Sequence, residues 1–156
     1  LLEKAGVLGV YVVGQQGVTL DQLDALGAKR KHFIAGNHED RLSRYLADRA
    51  PAVSNLLKVE ALFRLRARGW SYTPYGRLLR VGKVFYAHDP SGCGKWAHER
   101  AGQDAGHPIV HGHTHRAAVS YMGNIVGEKR FGLMAGSGRF DPTGAWRRSS
   151  LFLLHS

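Results

Sequence analysis

The sequence predicts a mixed α/β domain, and three observations carry the prediction. Short β-branched runs alternate with stretches of helical periodicity, the pattern of strands feeding helices. The chain has 156 residues, 44% of them hydrophobic, which is enough for one domain with a buried core over residues 1–156. Asn37, His38 and His88 fall just after predicted strands, where α/β folds build their sites.

In chain order, the first strand is Val7 to Val13, ended by Gly14. A helix follows from Thr19. Its capping box is Thr19 with Gln22, its apolar face is Leu20, Leu23 and Leu26, and Gly27 stops it. Lys31 to Ala35 form the next strand and lead into Gly36-Asn37-His38-Glu39-Asp40. Leu42, Tyr45 and Leu46 then keep helical spacing as far as Pro51. Asn37 is an N-cap candidate for a helix starting near Glu39, and Glu39 and Asp40 suit the positive end of its dipole.

Asn55 to Arg68 reads as a second amphipathic helix, with Leu56, Val59, Phe63 and the stem of Arg66 on one side and Gly69 at its end. Arg77 to Val81 and Lys83 to Ala87 read as paired strands turning at Gly82. The second delivers His88 to a glycine-bearing loop, Asp89-Pro90-Ser91-Gly92-Cys93-Gly94, of the kind that carries sites. A helix from Lys95 to Ala101 and strands at Ala117 to Tyr121, Phe131 to Ala135 and Ser150 to Leu154 complete the pattern.

A formal charge of +10 favours partners that carry phosphate, nucleic acid included, through counterion release. The densest runs are Lys29-Arg30-Lys31, Arg64 to Arg68, Lys129-Arg130 and Arg147-Arg148. None is interleaved with aromatics, so each reads as a solvated face before it reads as a nucleic-acid groove. No segment approaches the roughly 18 apolar residues of a membrane span, and Leu1-Leu2-Glu3-Lys4 lacks the pattern of a signal peptide. A cytoplasmic location is the expectation. Cys93 is the single cysteine, which excludes an internal disulfide.

The chemistry concentrates in His111-Gly112-His113-Thr114-His115-Arg116, after the apolar Pro108-Ile109-Val110. If extended, this segment points His113 and His115 to one side, roughly 7 Å apart at Cα. Metals in a dinuclear hydrolytic site lie about 3.5–4 Å apart, so one histidine per metal fits that spacing. A solvated His-rich loop is the alternative for His-x-His alone. Asn37 offers an amide oxygen to a metal. His38 has the range near neutral pH to protonate a leaving alcohol or to bond a phosphoryl oxygen.

Taken together, Gly36-Asn37-His38-Glu39, His88 and Gly112-His113-Thr114-His115, in this order and each after a predicted strand, resemble the later motifs of calcineurin-like metallophosphoesterases. The resemblance spans most of the chain. It implies a four-layer αββα sandwich, two mixed sheets between helices, that hydrolyses phosphate mono- or diesters. It also implies a pair of divalent ions, Mn²⁺ first, with Fe, Zn, Ni or Co as alternatives. Asn37, His88 and His113 would ligate one ion and His115 the other, with His38 stabilising phosphate and protonating the leaving group. Apart from the resemblance, Asp89 and Glu39 are candidate carboxylates behind these ligands, Asp89 as a departure that could also narrow the cleft.

The family's earlier motifs, Asp-x-His and Gly-Asp-x-x-Asp, do not stand in the chain. Gly14-Gln15-Gln16-Gly17 has Gln15 where the second motif needs Asp, Asp21 and Asp24 fall on a predicted helix, and Asp89 stands where Gly is usual. The expectation is therefore an amino-terminally truncated domain, the carboxyl-terminal part of a longer enzyme, that hydrolyses simple esters poorly by itself. The competing expectation is a phosphate-ester or nucleic-acid binding remnant of that fold.

Overall fold

Strands β1 (Gly9–Val13), β2 (Arg30–Ile34) and β3 (Trp70–Thr73) pair in parallel in the order β1-β2-β3. Strands β4 (Leu79–Val81), β5 (Val84–Ala87), β6 (Ile109–His111), β7 (Ala118–Gly123) and β8 (Lys129–Met134) form a second, mixed sheet in the order β4-β5-β6-β8-β7. This computed structural model describes residues 9–13, 20–25, 27–90 and 92–135. With helices α1 (Leu20–Asp24), α2 (Asn37–Arg49), α3 (Pro51–Ser54), α4 (Val59–Leu62) and α5 (Ala97–Ala105), the fold is mixed α/β, as the sequence pattern predicts. The Thr19 cap, Gly14-Gln15-Gln16-Gly17, Leu26, Arg147-Arg148 and the strand expected at 150–154 lie outside the described residues. No described helix is long and apolar enough to cross a membrane.

Successive strand residues face opposite sides, and β2 uses both. Phe33 enters a core with Leu23, Val59, Leu65 and Trp70, while the next residue, Ile34, packs against Tyr86 of β5 and Val110 of β6. Burial on both faces explains why the end of this strand is continuously apolar, and it brings the two sheets together. The carboxyl ends of β2, β5 and β6 therefore lie in neighbouring layers. Chain leaving those three ends supplies Asn37, His88 and His113.

Helix α5 lies against β8 at a contact that admits no side chain. A Cβ built on Gly132 would stand 1.8 Å from the His98 carbonyl oxygen, and one on Gly102 would stand 3.0 Å from the Gly132 nitrogen. Glycine at both positions lets helix and strand backbones touch, which places buried His98 over the mixed sheet.

Two expectations are corrected here. The helix expected over Asn55 to Arg68 is limited to Val59–Leu62 and then breaks into turns, because Arg64 adopts φ 52° and leaves the helical region. Of its supposed apolar face Val59 is buried, whereas Leu56 and Phe63 are exposed, and Leu65 fills the core instead. Strand β3 was not expected at all. Its four residues Trp70-Ser71-Tyr72-Thr73 are too few to show a period, and pairing with β2 makes them a strand.

Candidate functional site

Helix α2 begins one residue after Gly36, so Gly36 is its N-cap and Asn37 its first helical residue. This corrects the N-cap role expected of Asn37. The Gly36 amide is bonded instead to the Glu39 carboxylate, at 2.7 Å to Oε2, so Glu39 reaches back to close the helix end. The Asn37 amide oxygen is left to turn elsewhere, and it lies 3.0 Å from His88 Nε2.

The His-rich loop is also not the extended segment expected. β6 ends at His111, where the Ala135 amide donates to the His111 carbonyl at 2.7 Å and the Gly112 amide to the His88 carbonyl at 3.1 Å. The Thr114 amide then donates to the Gly112 carbonyl at 2.8 Å, closing a three-residue γ-turn around His113 at φ 68°. His115 follows at φ 57°. A positive φ at a non-glycine residue costs of order 1–3 kcal/mol and persists where its surroundings enforce it. The turn swings His113 inward, so that Nδ1 comes 3.3 Å from His88 Nε2. His115 is exposed, and no hydrogen bond or ion pair joins it to that cluster among the described residues.

Asn37 Oδ1, His88 Nε2 and His113 Nδ1 thus converge from three strand ends. A proton on His88 Nε2 must serve both neighbours at once, or one contact sets two lone pairs face to face. Ligands at about 2.1 Å from an ion, at angles between octahedral and tetrahedral, are about 3.0–3.4 Å apart. The observed 3.0 and 3.3 Å separations match that range. The donor set fits a single divalent ion. Among the described residues no group of three His, Cys, Asp or Glu side chains is placed to hold a metal, and the third group at this point is the Asn37 amide.

Burial pushes the His88 imidazole down to about 4, helped by His113 and opposed by Glu39 and Asp89, so the ring is neutral at physiological pH. Its Nδ1 is buried with no hydrogen-bond partner among the described residues, and Tyr75 packs edge-on against the ring at 6.0 Å. A Cβ on Gly36 would stand 2.7 Å from His88 Cε1, so the ring occupies space that only glycine leaves open. Asp89 Oδ2 lies 3.9 Å from His113 Nε2, too long for a hydrogen bond but close enough to attract a protonated ring. His38 is exposed in the first turn of α2.

No family model matches the chain, and no curated protein matches it significantly. The site is therefore read from its own geometry. Two histidines beneath it carried no distinct sequence signal. His111 is 1% exposed, with neither ring nitrogen hydrogen-bonded among the described residues, and burial pushes it to about 4. The Gly112 backbone offsets part of that push from outside hydrogen-bonding geometry. His98, buried on α5, also leaves Nδ1 unpartnered among the described residues. A cavity of about 310 Å³ opens beside His88 and Asp89, lined by Arg77, Leu78, Asp104 and Ile109 among others.

Proposed function

We propose that the chain carries part of the site of a calcineurin-like metallophosphoesterase that hydrolyses phosphate mono- or diesters. The observation that carries this reading is the convergence of Asn37 Oδ1, His88 Nε2 and His113 Nδ1. The order of the three motifs and the paired sheets support it, and on this reading the fold is the αββα sandwich.

A divalent ion held by those atoms, Mn²⁺ or alternatively Fe, Zn, Ni or Co, would supply positive charge to a phosphoryl group and acidify water. Asn37, His88 and His113 would bind as neutral ligands and so would leave the charge of the ion uncompensated for an anionic substrate. His88 offers its lone pair without competition from a proton because burial keeps the ring neutral. His38, exposed beside Asn37, donates a proton to the leaving alkoxide or a hydrogen bond to a phosphoryl oxygen. The cavity beside His88 takes the remainder of the ester, with the Arg77 guanidinium available to a second anionic group. His115 is the ligand this reading gives to a second ion.

A binding protein without turnover is the second reading. It is favoured by the finding that, among the described residues, no group of three His, Cys, Asp or Glu side chains is placed to hold a metal. Thermal unfolding with and without Mn²⁺, alongside release of nitrophenol from nitrophenyl phosphate esters, tests both. Mn²⁺ is expected to raise the unfolding temperature, by about 2.7 kcal/mol of stability at a hundredfold excess over its dissociation constant, and His113→Ala to remove the rise. Metal-dependent turnover lost in His38→Ala supports the hydrolase. Background turnover with an intact Mn²⁺ shift supports the binding protein, and no shift sinks both.

A further inference from the structure

The loop that leaves His88 ends at Trp96, which serves neither the core nor the helix it precedes. Its residue is 57% exposed. It occupies the N-cap position of α5 yet makes no side-chain cap hydrogen bond, a place where Ser, Thr, Asp or Asn would satisfy the helix end.

The ring is held in place. His98, itself buried, stacks on it with centroids 6.3 Å apart and planes at 29°. Lys95 Nζ lies 4.9 Å from the Trp96 centroid, a cation beside an open aromatic surface. A shallow groove of about 350 Å³ continues from the ring and is lined by Trp96, Glu99, Arg100 and Gln103. Its walls present hydrogen-bonding groups, with Gln103 Nε2 donating to Glu99 Oε1 at 3.3 Å.

We infer that Trp96, with Lys95, Arg100 and the groove of Glu99 and Gln103, is a stacking platform for single-stranded nucleic acid. An aromatic face stacks any base, a neighbouring lysine and arginine take the phosphates, and the amide and carboxylate meet base edges. The overall charge of +10 draws in a polyanion. The polar groove suits a nucleobase better than an acyl chain, and a base inside a duplex does not present its face. The platform bears on which ester the proposed site takes, and to that extent it rests on the hydrolase reading. Binding itself needs no metal.

The test is titration of the 156-residue chain with a short oligothymidylate in EDTA, followed by fluorescence anisotropy of a labelled strand across a range of salt. Trp96→Ala is expected to weaken binding at least about 10-fold and Trp96→Phe to restore most of it. Lys95→Gln is expected to lower the salt slope by about 0.7, the value for one phosphate contact on a single strand. Equal affinity of the wild type and Trp96→Ala overturns the inference, as does preference for a duplex of the same sequence. Trp96-dependent binding to phosphatidylserine vesicles without oligonucleotide binding assigns the surface to a membrane instead. Because EDTA is present throughout, loss of the Mn²⁺ shift and loss of oligonucleotide binding are separate results.

Discussion

At the edge of the three-stranded sheet, Asp24 Oδ1 accepts from Lys31 Nζ at 2.7 Å and from Trp70 Nε1 at 2.8 Å, and Oδ2 pairs with Arg68 at 2.7 Å. Lys31 Nζ also reaches the Arg68 carbonyl at 2.6 Å. The Asp24 cluster leaves Arg68 Nε as its one buried atom without a hydrogen bond among the described residues, whereas around His88 there are five such atoms: His88 Nδ1, Asp89 Oδ1, His98 Nδ1 and both nitrogens of His111. Buried polar groups are nearly always satisfied in native folds, and clustered exceptions mark places shaped by something other than stability. The Asp24 cluster is built to hold α1 and the 65–69 turn onto the sheet. On the proposed function, the unsatisfied groups of the histidine cluster and its strain at His113 are those of a ligand site.

The contrast predicts that the histidine cluster can be broken without touching a donor atom. Gly36→Ala places a Cβ against the His88 ring and displaces it, and Mn²⁺ affinity measured by calorimetry is expected to fall about 100-fold. The mutant helix should still form, since φ −93° at the N-cap is open to alanine. Unchanged affinity would mean that the ring position is not what the ion reads.

The partnered cluster should respond in the opposite way. Burial pushes the Asp24 carboxyl up, but the hydrogen bonds from Lys31 and Trp70 and the charges of Lys31 and Arg68 outweigh it and hold the group below the ordinary carboxylate range. Asp24→Asn removes the charge facing two cations. With a quarter of the Asp24 side chain exposed, the expected loss is about 1–2 kcal/mol in a urea titration, with Mn²⁺ affinity unaltered. A loss of metal binding would show that the two regions are coupled.

The smallest expected effect has the opposite sign. His111 is held near 4 by burial against an ordinary histidine value of 6.5, so the unfolded chain binds more protons between those limits. Stability is then highest above pH 6.5 and falls as the pH drops toward 4, and His88 acts in the same direction. His111→Leu removes a buried imidazole without partners and one source of that slope. It should gain about 1 kcal/mol at pH 7.5 and more at pH 5, read from urea midpoints at both. A variant as acid-sensitive as the parent would assign the slope elsewhere.

How much of this was legible in sequence follows from the range of each interaction. The alternation of strands and helices was readable because the period of a buried face is local, and so were the turn at Gly82 and the break at Pro51. The residues of the candidate site were nameable as Asn37, His38, His88, His113 and His115 from strand-end position and motif order. The convergence of Asn37, His88 and His113 followed from their strand-end positions and motif order, but the turn and the packing that achieve it, and the separation of His115 from the group, depend on which strands become neighbours. Sequence also misjudged the His-rich loop, whose γ-turn arises where the β6 ladder runs out against β8 and β5.

The sequence by itself determined a mixed α/β fold, a basic surface and a set of histidines after strands, since composition and short-range periodicity are properties of the chain. Tertiary structure decided the rest. Ile34, Tyr86 and Val110 hold the two sheets together, and Gly36 leaves room for the His88 ring. Only that packing turns Asn37 away from the helix cap, brings His113 to His88 and leaves His115 in solvent, because contacts between residues dozens of positions apart exist only once the sheets have met.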